Sequence, residues 1–255
     1  MVAIPFPATS TAGRKAQETG GRLINCYAQE VQGAPANPVI WNRSAGLRRV
    51  LQNEDHSGCR GFVAVGNILL YALSGQVYSV VQSGGALSSE LRGPLAGSGP
   101  ITVAQNIAAT PNTVCVTENG AFNLFPDAAP SAFADGDLPT PNSCTYYETY
   151  IVFSTAGGQI WATAQNSVSV DTNAFEAVPQ GSLLRVIRYR TELFALGEWG
   201  FRVYTNTGAS PFPFEYSDVE VPIGLAGTPA IAGVQEGWSD ALIFAGSDNR
   251  VYRLE

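Results

Sequence analysis

The chain has 255 residues, with 14 Lys and Arg against 21 Asp and Glu, a formal net charge of −7, one histidine and four cysteines. The acidic balance argues against a dedicated nucleic-acid surface, which is normally basic, and a single histidine rules out the usual two- or three-histidine zinc site. No apolar run reaches the length that spans a membrane, while 27 Gly and 16 Pro, scattered without sustained 3.6-residue periodicity, point to an all-β chain.

Charged residues make up 14% of the sequence, below the roughly 25% usual for soluble domains; this fits a surface partly covered by neighbouring subunits. Met1 to Ser10 carries neither a positive n-region nor an apolar h-region, so no secretory signal is expected. Cys26, Cys59, Cys115 and Cys144 lack C-x-x-C spacing and are expected to be free, mostly buried thiols made in a reducing cytosol.

Residues 1–56 do not match the pattern of the remainder and are expected to form an extended assembly segment. Residues 1–21 are rich in Thr, Ala and Gly. Short strands are expected at 23–28 and 39–41, on either side of a Gly/Pro/Ala loop. Asn25, Tyr27, Trp41, Arg48 and Arg49 are this segment's candidate interface residues.

From residue 57 onward one hairpin unit recurs. Its clearest copy, at 193–204, is an apolar run, a turn at Trp199-Gly200, and a return strand Phe201-Arg202-Val203-Tyr204. Further copies lie at 69–80, 150–162 and 242–254, with a weaker one at 114–122. Val77 and Ile160 stand 83 residues apart, Ile160 and Val203 stand 43 apart, and Val203 and Val251 stand 48 apart. A β repeat of about 40–50 residues is the signature of a propeller blade, so residues 57–255 are expected to form about five blades of a β-propeller; a β-sandwich is the alternative.

The first blade is expected from Cys59, with an inner strand at 61–65, and the second from Ile101 to Phe125. Residues 126–141 are too polar and broken for a strand. The third blade is placed at 145–164, followed by a connector at 166–180. The fourth runs from Leu183 to about Thr205, a Pro- and Phe-rich connector spans 206–214, and the fifth starts near Leu225. The chain halts on a strand, which leads us to expect part of a larger propeller, with a compact five-blade ring as the alternative.

No motif carries chemistry. His56 sits in a polar loop and no G-x-S-x-G elbow is present. Asp135-Gly136-Asp137 lacks the twelve-residue calcium pattern, and Asn42-Arg43-Ser44 is an incidental glycosylation sequon. The stretch from Ser154 to Trp161 resembles the Asp-box hairpin of sialidases, S-x-D-x-G-x-T-W, with Ala156 and Ile160 at the Asp and Thr positions; that box is structural. Arg185, Arg188 and Arg190 are the densest basic patch, expected to pair with Glu192 or Glu198, or to meet an acidic partner or passing DNA. One strand carries all three, so they cannot converge from separate blades as a sialidase arginine triad does. Lys15 is the only lysine, and no phosphate loop is present. Catalytic residues, cofactors and metals are not expected, and the chain is read as a non-enzyme.

Four distinct motifs follow one another between 171 and 254: Leu196-Gly197-Glu198 with Phe201 to Tyr204, Asn206-Thr207-Gly208-Ala209 with Pro211-Phe212-Pro213-Phe214, Ile223-Gly224-Leu225-Ala226, and Asp248-Asn249-Arg250-Val251-Tyr252-Arg253. With Asn25 to Glu30 and Ser44 to Arg49, they resemble the tail-hub, or packaged DNA stabilisation, proteins of short-tailed bacteriophages. Members of that family commonly carry proline where Ala28 and Ala45 stand, and run considerably longer. The resemblance implies a virion structural protein made in the host cytoplasm: a ring of six copies in the tail, below the portal and its adaptor, that closes the channel, retains genomic DNA and anchors tail needle, tailspike or fibre proteins. It implies no membrane in the mature particle. Two other readings stay open: a carbohydrate-binding or glycosidase-like propeller, which needs acidic and aromatic residues converging on the channel, and a propeller scaffold for protein partners, which would bind as a monomer.

Overall fold

A computed structural model describes residues 26–30, 39–43, 51, 58–233 and 240–254. The chain divides into two units, residues 1–52 and 53–255. In the first, β1 (Cys26–Glu30) and β2 (Val39–Arg43) form an antiparallel pair, with Tyr27 opposite Asn42 and Ala28 opposite Trp41. Asn25, Arg48 and Arg49 lie outside the described residues.

The second unit is a succession of up-and-down antiparallel sheets. The first blade is β3 (Cys59–Val65), β4 (Ile68–Leu73), β5 (Gln76–Ser83) and β6 (Ala86–Pro94). The second is β7 (Thr102–Gln105), β8 (Thr113–Thr117), β9 (Gly120–Leu124) and the two-residue β10 (Ser131–Ala132). The third comprises β11 (Pro141–Tyr147), β12 (Tyr150–Thr155), β13 (Gln159–Thr163) and β14 (Val170–Ala177). The fourth comprises β15 (Leu183–Tyr189), β16 (Glu192–Gly197), β17 (Phe201–Asn206) and β18 (Phe214–Val221). The fifth has three described strands, β19 (Ile231–Gly233), β20 (Leu242–Ala245) and β21 (Val251–Leu254). Every expected hairpin is present, as β4–β5, β8–β9, β12–β13, β16–β17 and β20–β21.

Two segments depart from expectation. Residues 126–141 were expected to hold no strand, yet β10 pairs with β9. Residues 166–180 were expected to be a connector, yet β14 pairs along β13, with Trp161 opposite Phe175. Both are the fourth strand of their blade. A strand at a blade's outer edge has a solvated side, so its sequence is polar and loses the apolar run that marks the inner strands.

The middle strands are apolar throughout because blades cover them from both sides: all of Tyr150–Thr155 is buried. Four clusters fill the gaps between successive blades. Leu70 and Val77 of blade 1 pack with Cys115 and Leu124 of blade 2; Val114 and Val116 pack on Phe153 and Trp161; Val152 and Ile160 pack on Val186 and Leu193; Phe194 and Phe201 pack on Leu242 and Phe244.

Local geometry repeats along with the sheets. The inner strands of blades 1, 3 and 4 each carry a register shift at the same place, between Cys59 and Gly61, Pro141 and Ser143, and Leu183 and Arg185. The tight turn after each of these strands has a left-handed residue, Gly66 (φ 62°), Glu148 (φ 53°) and Arg190 (φ 55°), as two-residue hairpins with right-handed strand twist require. Between blades, inner-strand hydroxyls replace carbonyls as acceptors. Thr102 Oγ1 accepts from the Cys144 amide (2.9 Å), Ser143 Oγ from that of Val186 (2.8 Å), and Thr145 Oγ1 from that of Arg188 (3.3 Å).

Candidate functional site

The three arginines were expected on one strand, but β15 carries only Arg185 and Arg188, which its alternation puts on opposite faces, and Arg190 lies in the turn that follows. Arg185 shares the face of Ile187 and Tyr189, which turns toward blade 5. It is 9% exposed, and its Nη1 donates to the Thr228 carbonyl at 2.8 Å. Its work is to hold blade 5 against blade 4. Arg188 sits on the opposite, Val186 side and is exposed, and its Nε donates to the Arg190 carbonyl at 3.1 Å. Arg190 is exposed at the turn, its guanidinium 5.2 Å from the Tyr189 ring centroid, a cation–π contact. The single basic patch is therefore one buried clamp and two exposed cations. Among the described residues, neither Arg188 nor Arg190 forms an ion pair with Glu192 or Glu198; the pairs there are Arg92–Glu90, Arg202–Glu220 and Arg250–Asp248.

Arg188 and Arg190 stand at one end of the blades, beside the turn between β11 and β12. Glu148 in that turn accepts a hydrogen bond from Asn206 Nδ2. The nearby Tyr146 hydroxyl is buried without a hydrogen-bond partner among the described residues, and burial pushes its pKa up. This rim offers two cations and a carboxylate, charges that can meet an anionic surface.

A second concavity, about 540 Å³, lies between β13–β14 and the 206–213 connector, with Tyr150, Gln165, Asp171, Ser210 and Pro211 on its wall. Gln165 Nε2 donates to the Tyr150 hydroxyl at 2.9 Å. Asp135 is engaged nearby: its carboxylate accepts from the Val170 amide at 2.9 Å and the Asp137 amide at 3.1 Å, tying the 126–141 segment to β14. No group of His, Cys, Asp and Glu among the described residues could hold a metal ion.

The segment resembling the Asp-box is structural here too. Ser154 Oγ bonds Ser143 Oγ (2.6 Å) and Asn142 Oδ1 (2.7 Å) inside blade 3. Cys59 is exposed, while Cys115 and Cys144 are buried, their thiols pushed up to about 12, chiefly by burial; all three are free. His56 lies outside the described residues. On the sequence alone Arg60 went unremarked. It is buried and donates from Nε to the Gly99 carbonyl and from its two terminal nitrogens to those of Ser74, Leu95 and Ala96. Its only signal in the sequence was a cation in an otherwise uncharged strand.

No protein-family model matches the sequence, and no curated protein does. Solved structures do match. YCF48 bound to D1 peptide is 13% identical, covering 84% of this chain and 68% of its own, with a TM-score of 0.51. The chain is a β-propeller. YCF48 from Cyanidioschyzon merolae is 15% identical over 84% of this chain and 73% of its own (TM-score 0.49). The WD40 β-propeller domain of Doa1 is 9% identical over 80% and 67% (TM-score 0.48). At such identities the likeness concerns the propeller fold alone.

Proposed function

We propose that this propeller is a structural component of the tail hub of a short-tailed bacteriophage virion, made in the host cytoplasm. In this reading six copies form a ring below the portal adaptor, close the channel after packaging, retain genomic DNA, and anchor needle, tailspike or fibre proteins. The observation that carries it is the place of the residues behind the family resemblance. Leu196, Phe201, Val203 and Leu225 are buried in one cluster between blades 4 and 5, so the shared pattern is a pattern of packing. A hub needs that rigidity. Arg188 and Arg190 are its candidate contacts to DNA phosphates or to an acidic neighbour. Tyr27 and Trp41, on the paired strands of the first unit, are candidate contacts to adjoining tail proteins.

Electron microscopy of the particle that contains the protein tests this reading. A ring of rotationally related copies on a DNA-filled head is expected. A protein absent from particles, or present without rotational symmetry, overturns it.

A further inference from the structure

Trp199 stands in the β16–β17 turn and is 71% exposed, although every other residue from Leu193 to Phe201 except Glu198 is buried. Single exposed apolar side chains are ordinary. This one is distinguished by how it is held.

Its indole is seated on bare backbone. A Cβ added at Gly181 would lie 3.1 Å from Trp199 Cδ2 and 3.2 Å from Cε2, the two atoms its rings share, and 3.5 Å from Cε3. The shared atoms are nearer than the rim atom, so Gly181 meets the ring across its face. Two consecutive amides pin the turn to the same segment: that of Glu198 donates to the Ser182 carbonyl at 3.1 Å, and that of Trp199 to the Gln180 carbonyl at 3.3 Å. One face of the indole is thus taken by Gly181, and the other is open to solvent.

Glu198, the residue before it, is also exposed and forms no ion pair among the described residues. Arg188 and Arg190 lie at the opposite end of the blade, since Leu183 faces Gly197 at one end of the β15–β16 pair and Tyr189 faces Glu192 at the other. The neighbouring turns supply no spare cation. Ala156-Gly157-Gly158 of blade 3 is uncharged, and Arg250 of blade 5 pairs with Asp248 at 3.8 Å. An open indole face attracts a cation through its ring quadrupole, and the carboxylate beside it supplies the counter-charge. A guanidinium suits both, because it is planar enough to stack and its N–H fork matches a carboxylate.

We propose that Trp199 and Glu198 form a docking point for an arginine side chain of a partner protein. The inference stands on this turn and is independent of the virion reading. An exposed indole also suits the apolar face of a sugar ring, but the unpaired carboxylate favours the cation.

Nuclear magnetic resonance of the isotopically labelled full chain tests it. The probe is N-acetyl-arginine amide at constant ionic strength, titrated to about 0.1 M because one exposed cation–π contact and one exposed ion pair bind weakly. The Trp199 indole N–H signal, assigned by its loss in Trp199→Phe, is expected to shift with dose. That of Trp161, which donates to Gln159 Oε1 at 3.2 Å, is expected to stay in place and reports that each variant is folded. N-acetyl-citrulline amide, nearly the same shape without the charge, is expected to bind at least about three-fold more weakly. Glu198→Gln is expected to weaken the arginine probe at least about two-fold, and Glu198→Asp to retain it. A Trp199 signal that does not move, citrulline binding as well as arginine, binding untouched by Glu198→Gln, or a larger shift with methyl glucoside would each overturn the proposal.

Discussion

Tyr147 and Tyr189 end the inner strands of blades 3 and 4, and each spends its hydroxyl on a neighbouring segment. Tyr147 Oη donates to the Thr191 carbonyl at 2.8 Å, and Tyr189 Oη reaches the carbonyls of Asp240 at 3.2 Å and Leu254 at 3.0 Å. These bonds span 44, 51 and 65 residues, so one side chain per blade fixes the start of the next hairpin or the last strand of the next blade.

Replacing either tyrosine with phenylalanine removes one such bond at nearly constant packing. Tyr147→Phe and Tyr189→Phe are each expected to lower the unfolding free energy by about 1 kcal/mol, read from urea denaturation. Tyr146→Phe is the control. Its buried hydroxyl has no hydrogen-bond partner among the described residues, so that variant is expected to match or exceed the wild type.

Arg60 holds three carbonyls of the segment that leads out of blade 1, at Leu95, Ala96 and Gly99, and that of Ser74 in the β4–β5 turn. Arg60→Ala leaves those acceptors unpaired and is expected to cost about 3 kcal/mol or more. Arg60→Lys is expected to recover little, because a single ammonium cannot reproduce the forked geometry of a guanidinium. Denaturation midpoints of the two variants against wild type check both statements.

Around Gly197 and Glu198 the chain on either side of blade 4 packs backbone too closely for side chains. A Cβ on Gly224 would lie 1.7 Å from the Glu198 carbonyl oxygen, and one on Gly197 would lie 2.3 Å from that of Gln180. Gly224→Ala and Gly197→Ala are each expected to destabilise by about 3 kcal/mol. Gly136→Ala, where a Cβ meets nothing within 4 Å, is expected to stay within about 0.5 kcal/mol of the wild type. Thermal unfolding of the three ranks them.

Blade count and hairpin positions were legible in the sequence because a strand between two blades must be apolar on both sides. Leu193 to Leu196 and Ile151 to Phe153 show that demand plainly, and all are buried. The outer strands were not legible. Ser88, Ser89 and Glu90 in β6, or Asp171, Thr172 and Asn173 in β14, answer to solvent and read as loop. Strand alternation alone separates Arg185 from Arg188. What the sequence could not supply was that blade 5 covers the Arg185 side.

Two carboxylates give the stability curve opposite slopes on the acid side. Glu118 accepts from the Ser98 amide at 2.8 Å, the Ser98 hydroxyl at 3.1 Å and the Gly99 amide at 3.3 Å. Those bonds, the Ser98 amide first, hold its pKa below the usual 4.5. Its stabilisation is present above the unfolded-state value and is lost as pH falls through the lower folded value. Glu176 is raised, chiefly by burial, despite the Tyr204 hydroxyl that donates to it at 3.3 Å. It stabilises when protonated, and that contribution is lost as pH rises through its folded value. Glu118→Gln is therefore expected to flatten the loss of stability toward low pH, and Glu176→Gln to flatten the decline as pH rises past the carboxylate range. Urea midpoints taken from about pH 3 to pH 7 separate the two.

The hydroxyl bridges between inner strands have a kinetic corollary. The amides of Cys144, Val186 and Arg188 bond to Thr102, Ser143 and Thr145 across a blade boundary, so each can exchange its hydrogen only when two neighbouring blades part. Among the described residues, blades 2, 3 and 4 pack into an apolar cluster on each side, whereas blades 1 and 5 join one each. In a nearest-neighbour array, blades with less burial open first and those packed on both faces last. The Val186 amide, at the boundary between blades 3 and 4, is among the last to meet solvent.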